Sequence, residues 1–297
     1  MTVTRSAPGK IILLGEHSVV FGRVALAAAL PFGITMRAEH RVEGGIQLTG
    51  MGIPDDPRVH QAAALIGEHL DVAHARVTIT SELPPGGGLG SSAAFAVALA
   101  RSLAALSGAE LGFERLDEIG LQSERLFHGR PSGVDHSVSA REGLIRFWKG
   151  PPPRVEPIVA KRPLPIVVAL TGQSRDTGYH VTSLVARAAE SPHEYEPLID
   201  RLGTLALEGC DDVETGDFDA LGQRMNEAHE LLKRCGVSRD SLDAITQAAR
   251  KAGALGAKLT GAGGGGAAIA LAPDPEPVLQ AIRALGFEAR FALIGAT

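Results

Sequence analysis

The run PPGGGLGSSAAFA, Pro84 to Ala96, leads into an Ala/Leu-rich segment that reads as a helix from Ser91 to Leu106, stopped by Gly108. Glycines ahead of a helix let successive backbone N–H groups form an anion-binding concavity. The helix N-terminus behind them adds about half a positive charge. A polyphosphate suits such a loop, and the hydroxyls of Ser91 and Ser92 at the helix mouth can also hold Mg²⁺, which takes oxygen ligands. The alternative is a tight turn whose serines only cap the helix.

On the N-terminal side of this run the chain alternates strand-like and helix-like patterns. Lys10 to Leu14, Gly33 to Arg41 and Arg76 to Ser81 read as strands, and Asp56 to Leu70 as a helix. Beyond it, Phe113 to His128 reads as a helix with Leu116, Ile119 and Gly120 on its apolar side, and Gly143 to Phe147 as a strand. The stiff GPPP at Gly150 to Pro153 marks a domain boundary nearby. The second half reads as a strand (Pro165 to Leu170), a polar loop, and two or three helices through Leu232. It continues with a helix at Ser241 to Ala252, strands at Ala257 to Thr260 and Ala267 to Ala272, a helix at Pro277 to Leu285, and a last strand at Glu288 to Ile294. This is an α+β layer of split βαβ character.

The composition narrows the function classes. With 297 residues, 44% apolar and 21% charged, the chain has the makings of a folded protein with a sizeable core. Its net charge of −5 and 4% aromatic content make nucleic acid an unsuitable partner. The four apolar residues from Ile11 to Leu14 are too few for a signal-peptide core, and no run approaches a membrane span. Cys210 and Cys235 show neither CxxC nor ligand spacing, which fits a reducing cytoplasm.

Other segments carry polar residues in suggestive places. KLTGAGGGG, Lys258 to Gly266, contains a formal GxGxxG, but the short apolar run after it ends at Pro273 and reads as a strand. A dinucleotide loop would open a helix there. Walker A, HExxH and GxSxG patterns are absent. In APGKIILLGEHSVVFG, Ala7 to Gly22, Lys10 starts a strand and Glu16 and His17 lie in the turn beyond it; a cation beside two polar groups could bind an anionic substrate, and the alternative is a surface lysine and a capping glutamate. HGRPSGVDHSVSA places Asp135 in a Pro/Gly loop, a common setting for a turn-forming aspartate. Glu124 sits at the edge of its helix's apolar stripe, facing either a cleft or solvent, and Arg125 faces solvent.

Together and in this order, APGKIILLGEHSVVFG, PPGGGLGSSAA, SGVD and KLTGAGGGG resemble the GHMP kinase family of small-molecule kinases, and within it the branch that acts on mevalonate. The resemblance runs from Ala7 to the last strand. It implies two domains, 1–160 and 161–297. The first would be like ribosomal protein S5 domain 2 and the second ferredoxin-like, with ATP and substrate in the cleft between. The implied reaction transfers the γ-phosphoryl group of ATP to the 5-hydroxyl of mevalonate, with Mg²⁺ as cofactor. Related alcohols, phosphomevalonate or the 3-hydroxyl of mevalonate, are the alternatives.

The resemblance also implies roles. Asp135 would face the hydroxyl and pair with Lys10, and Ser92 and Glu124 would hold the metal. Pro85, Gly86, Gly87, Gly88, Leu89, Gly90, Ser91, Ser92 and Ala93 would bind the nucleotide. Lys10, Glu16, His17, Asp135 and Thr177 would bind the substrate, and the loop around Ser174 and Thr177 would line the same cleft. Arg146, Lys149 and Arg175 are candidates for its carboxylate. Phosphoryl transfer asks a protein mainly for such positioning and charge neutralisation. The sequence departs from the family at Ala267, where many relatives have cysteine, and in the loop Gly172 to His180. The resemblance leaves room for a homodimer and implies neither a membrane nor a nucleic-acid partner.

Overall fold

A computed structural model describes residues 2–51, 56–84, 86–128, 131–173 and 177–295. Its contacts gather into two units: Met1–Lys10, Ala29–Pro85 and Gly90–Glu142 form the first, and Ile11–Ala28, Gly86–Leu89 and Gly143–Thr297 the second. These units interleave along the chain, because strands β1 (Thr2–Leu14) and β2 (Val24–His40) each carry residues of both.

In the first unit, β2 leads to β3 (Ile46–Met51), helix α1 (Pro57–His69) and β4 (Ala75–Ser81). Buried Ala75, Val77 and Ile79 alternate along β4 with exposed Arg76, Thr78 and Thr80, the period of a strand with one covered face. β4 pairs antiparallel with Ile34–His40 of β2 and parallel with β3. Three helices follow: α2 (Ser91–Ser107), α3 (Phe113–His128) and α4 (Val134–Arg141). α2 is buried throughout Ala93–Ala100, and its small side chains let α1, α3 and α4 pack close around it.

α4 corrects the expectation that Asp135 lies in a loop: Asp135 occupies the first turn of this short helix, behind Gly133. Serines are weak helix formers, so the segment carries no helical signal of its own. Tertiary bonds stabilise it: Ser137 Oγ donates to Asp117 at 3.1 Å and Ser139 Oγ to the Pro8 carbonyl at 2.9 Å.

In the second unit, Val24–Ala28 of β2 pairs antiparallel with β5 (Leu144–Trp148), which pairs with β6 (Arg154–Ile158). β7 (Leu164–Leu170) is followed by α5 (Thr177–Glu190), α6 (Pro192–Thr215), α7 (Phe218–Arg234) and α8 (Asp240–Lys251). The chain ends with β8 (Gly256–Thr260), β9 (Ala267–Leu271), α9 (Pro275–Ala284) and β10 (Glu288–Ile294). The last four strands form an antiparallel sheet in the order β10-β7-β9-β8, the split βαβ arrangement expected of a ferredoxin-like layer. β8 and β9 are buried along their whole length, with α7 and α8 packed on β8. Among the described residues no helix is long and apolar enough to cross a membrane.

Candidate active site

The first unit brings Lys10 and Asp135 together. Lys10 lies well inside β1 rather than at its start, and its side chain is only 2% exposed. Its Nζ stands 2.9 Å from Asp135 Oδ1, whose side chain is 26% exposed, so the carboxylate is the reachable member of the pair. Gly90, the N-cap of α2, makes the approach of Lys10 possible. Its φ is +77°, and a Cβ there would fall 2.7 Å from Lys10 Cγ. The glycine thus serves the lysine as well as any ligand. The N-cap glycine offers α2 no capping side chain, and Ser92, half-buried, sits in its first turn.

Glu124, on α3, is buried at 2% exposure rather than solvated. Its Oε2 accepts from His136 Nδ1 at 2.8 Å, while Oε1 has no hydrogen-bond partner among the described residues. Behind His136 stands Asp117, whose Oδ1 is 4.0 Å from Nε2 and which Arg141 holds with bonds of 2.7 and 2.9 Å. Burial works against a charged imidazole, but the Glu124 carboxylate, helped by Asp117 and Asp135, outweighs it, and the His136 pKa lies above its ordinary value. Sequence reasoning missed His136. The available signal was Gly120, a glycine inside a long helix, where it costs about 1 kcal/mol against alanine. A Cβ at Gly120 would meet His136 Cβ at 2.7 Å. Arg125 is exposed, as expected.

In the second unit, Gly86 and Gly88 adopt positive φ ahead of buried Leu89. Glu16 and His17 form the turn after β1 and are both buried. Glu16 Oε1 pairs with the ammonium of Lys258 on β8, and each of these side chains is 0% exposed. The same ammonium donates to the Leu259 carbonyl at 2.7 Å. Burial pushes the Lys258 pKa down, opposed by the Glu16 charge. His17, at φ +60°, donates from Nε2 to the Ala262 carbonyl at 3.0 Å. The glycine run itself is a strand–loop–strand connection with no helix after it, as the sequence implies. Its glycines admit protein: a Cβ on Gly263 would fall 2.0 Å from the Val237 carbonyl oxygen, and one on Gly264 would fall 1.8 Å from His180 Nε2.

Arg146 is unsuited to a substrate carboxylate, since Glu156, Asp211 and Glu214 already surround it at 3.6 to 3.8 Å. Lys149 is exposed just beyond β5. Pro85, Ser174 and Arg175 lie outside the described residues, as does the side chain of Thr177, whose backbone opens α5. Burial pushes the Cys210 and Cys235 thiols up to about 11, and neither is in a disulfide. Among the described residues no group of three or more His, Cys, Asp or Glu is arranged to hold a metal, so an ion at Glu124 would need ligands of other kinds.

The family model for the GHMP kinase N-terminal domain matches residues 58–143, and that for the GHMP kinase C-terminal domain matches residues 207–289. The mevalonate kinase of Thermococcus gammatolerans is 39% identical, over 93% of this chain and 91% of the relative. The human mevalonate kinase is 30% identical, over 98% and 92%. The crystal structure of L. major mevalonate kinase in complex with R-mevalonate superposes with a TM-score of 0.90 at 28% identity, covering 99% of this chain and 96% of that one.

Proposed function

Because the chain belongs to the GHMP kinase family, in the branch of the mevalonate kinases, we infer that it phosphorylates the 5-hydroxyl of (R)-mevalonate with ATP. The product, 5-phosphomevalonate, belongs to the mevalonate pathway of isoprenoid biosynthesis. Residues 1–160 are assigned to the N-terminal domain and 161–297 to the C-terminal one, in the cytoplasm.

The observation that carries the mechanism is the Lys10–Asp135 pair. A carboxylate that is partly exposed, held 2.9 Å from a buried ammonium, is placed to take the hydroxyl proton while the lysine stays fixed. The substrate oxygen then bonds to the γ-phosphorus, the bond from that phosphorus to the β,γ-bridging oxygen breaks, and ADP leaves. The Lys10 charge offsets the negative charge spread over the transferring group. The run from Pro85 to Ala93 is assigned to the nucleotide phosphates, through the backbone N–H groups that follow the proline and the start of α2. Glu16, His17 and Thr177 are assigned to the substrate.

The fit to Mg²⁺ rests on Glu124. Among the described residues its buried Oε1 has no hydrogen-bond partner, which is costly unless something compensates it, and a hard divalent cation would do so. Ser92 would supply a hydroxyl from α2, which packs against α3. Bound there, Mg²⁺ would neutralise phosphate charge and orient the nucleotide.

The test is ADP release with ATP, Mg²⁺ and a panel of mevalonate, phosphomevalonate and galactose, with the product read by ³¹P NMR. Mevalonate should be the substrate, and the product phosphorus should couple to the two C5 protons. A signal without such coupling would place the phosphate on the tertiary 3-hydroxyl and overturn the reading, as would turnover confined to phosphomevalonate.

A further inference from the structure

The mechanism leaves one buried polar group unused. Among the described residues, His136 bonds neither to Lys10 nor to the nucleotide run, yet it is nearly fully buried and sits between two carboxylates of the first unit. Its imidazole faces Glu124 on one side and the Asp117–Arg141 pair on the other. α3 gives up a side chain at Gly120, one turn before Glu124, and His136 fills that space. The consequence is asymmetric: His136 Nδ1 ties down Oε2 of Glu124, and Oε1 is left without a protein donor among the described residues.

We propose that His136 is a positioning residue for the metal ligand: by holding Oε2 it fixes the Glu124 carboxylate with Oε1 turned to the divalent cation that accompanies ATP. Asp117 and Arg141 keep the ring from turning away. The proposal rests on the assignment of Glu124 as a metal ligand. A glutamate has three rotatable bonds, and a ligand held in one rotamer by an outer hydrogen bond binds metal better than one that must be ordered first. Loss of such outer partners typically weakens metal binding about 10–100-fold.

The experiment reads Mn²⁺ binding directly, by the fall of the free-ion EPR signal, in the presence of a non-hydrolysable ATP analogue. In His136→Leu the hydrogen bond is gone, and the Mn²⁺ dissociation constant should rise about tenfold or more. In His136→Asn the side-chain amide nitrogen falls near the position of Nδ1, so binding should return to within about threefold of the wild type. The KM for mevalonate should move little in either variant. If His136→Leu does not fold, His136→Gln replaces it: its amide nitrogen falls near Nε2, on the Asp117 side, and should not rescue.

Equal weakening in the Asn variant and in the Leu or Gln variant would overturn the proposal, because loss of ring packing would then be the cause. So would wild-type Mn²⁺ binding in His136→Leu. Glu124→Gln separates the two levels. If it leaves Mn²⁺ binding unchanged, Glu124 is no ligand and the underlying assignment fails. If it weakens binding while His136→Leu does not, only the role of His136 fails.

Discussion

Replacing Lys258 by methionine should destabilise the second unit severely. The ammonium and the Glu16 carboxylate are each 0% exposed, so the pair is held away from bulk water. Methionine keeps most of the lysine's length and apolar volume, and a volume-conserving change of that kind costs less than about 1.5 kcal/mol in packing. What it removes is the charge opposite a buried carboxylate, and breaking one side of such a pair costs about 3–5 kcal/mol. Against a whole stability of about 5–15 kcal/mol that is a large fraction. With a urea slope of about 3 kcal/mol/M, the midpoint should fall by about 1–1.7 M. The assay is convenient because the single tryptophan, Trp148, lies in β5 of the same unit, so its fluorescence follows the right transition. Glu16→Gln and the double variant complete the cycle. The double variant, with both charges gone, should be no less stable than Lys258→Met alone. A loss under about 1 kcal/mol in Lys258→Met, or strictly additive losses, would refute the reasoning.

Two further outcomes follow from particular contacts. Gly90→Ala puts a Cβ 2.7 Å from Lys10 Cγ at a residue with φ +77°, so steady-state kinetics should show kcat down by about tenfold or more, since small misplacements of reacting groups are costly; a change confined to the KM for ATP would mean the glycine serves the phosphates alone. His229, buried beside Thr246 and Leu259, has its pKa pushed down to about 4, chiefly by burial. The unfolded chain takes up a proton below about pH 6.5 that the folded chain refuses, so stability is lost as pH falls from there toward 4, by about 2 kcal/mol at pH 5. Urea midpoints at pH 7 and pH 5 should therefore differ less in His229→Gln than in the wild type, and equal differences would remove His229 from the account.

Where a segment's structure follows from its own periodicity, the sequence announces it. α2 and α3 begin where the apolar stripe and the glycine punctuation place them, and β10 runs from Glu288 to Ile294 as read from the sequence. β6 was hidden because Pro157 interrupts it, which only an edge strand tolerates. α4 was hidden because its serines bond to Pro8 and Asp117, partners outside the segment. In the candidate site, Lys10 and Asp135 meet, and the motifs that contain them name both. Glu16 and Lys258 lie 242 positions apart, and a lysine on a strand buried along its whole length gives no local hint of its partner. Glu124 looked equally suited to a cleft or to solvent because its burial depends on His136, which arrives from another helix.

The central claim is that Asp135 and Lys10 act as one unit on the substrate hydroxyl, and a kinetic double-mutant cycle tests it most directly. Asp135→Asn keeps shape and hydrogen-bonding capacity but removes the proton acceptor, so kcat should fall by about 10²–10⁴. Lys10→Met should lower kcat as well. With the pair 2.9 Å apart, the double variant should be far less impaired than the product of the two single losses. Fully multiplicative losses, or near-normal turnover in Asp135→Asn, would contradict the account.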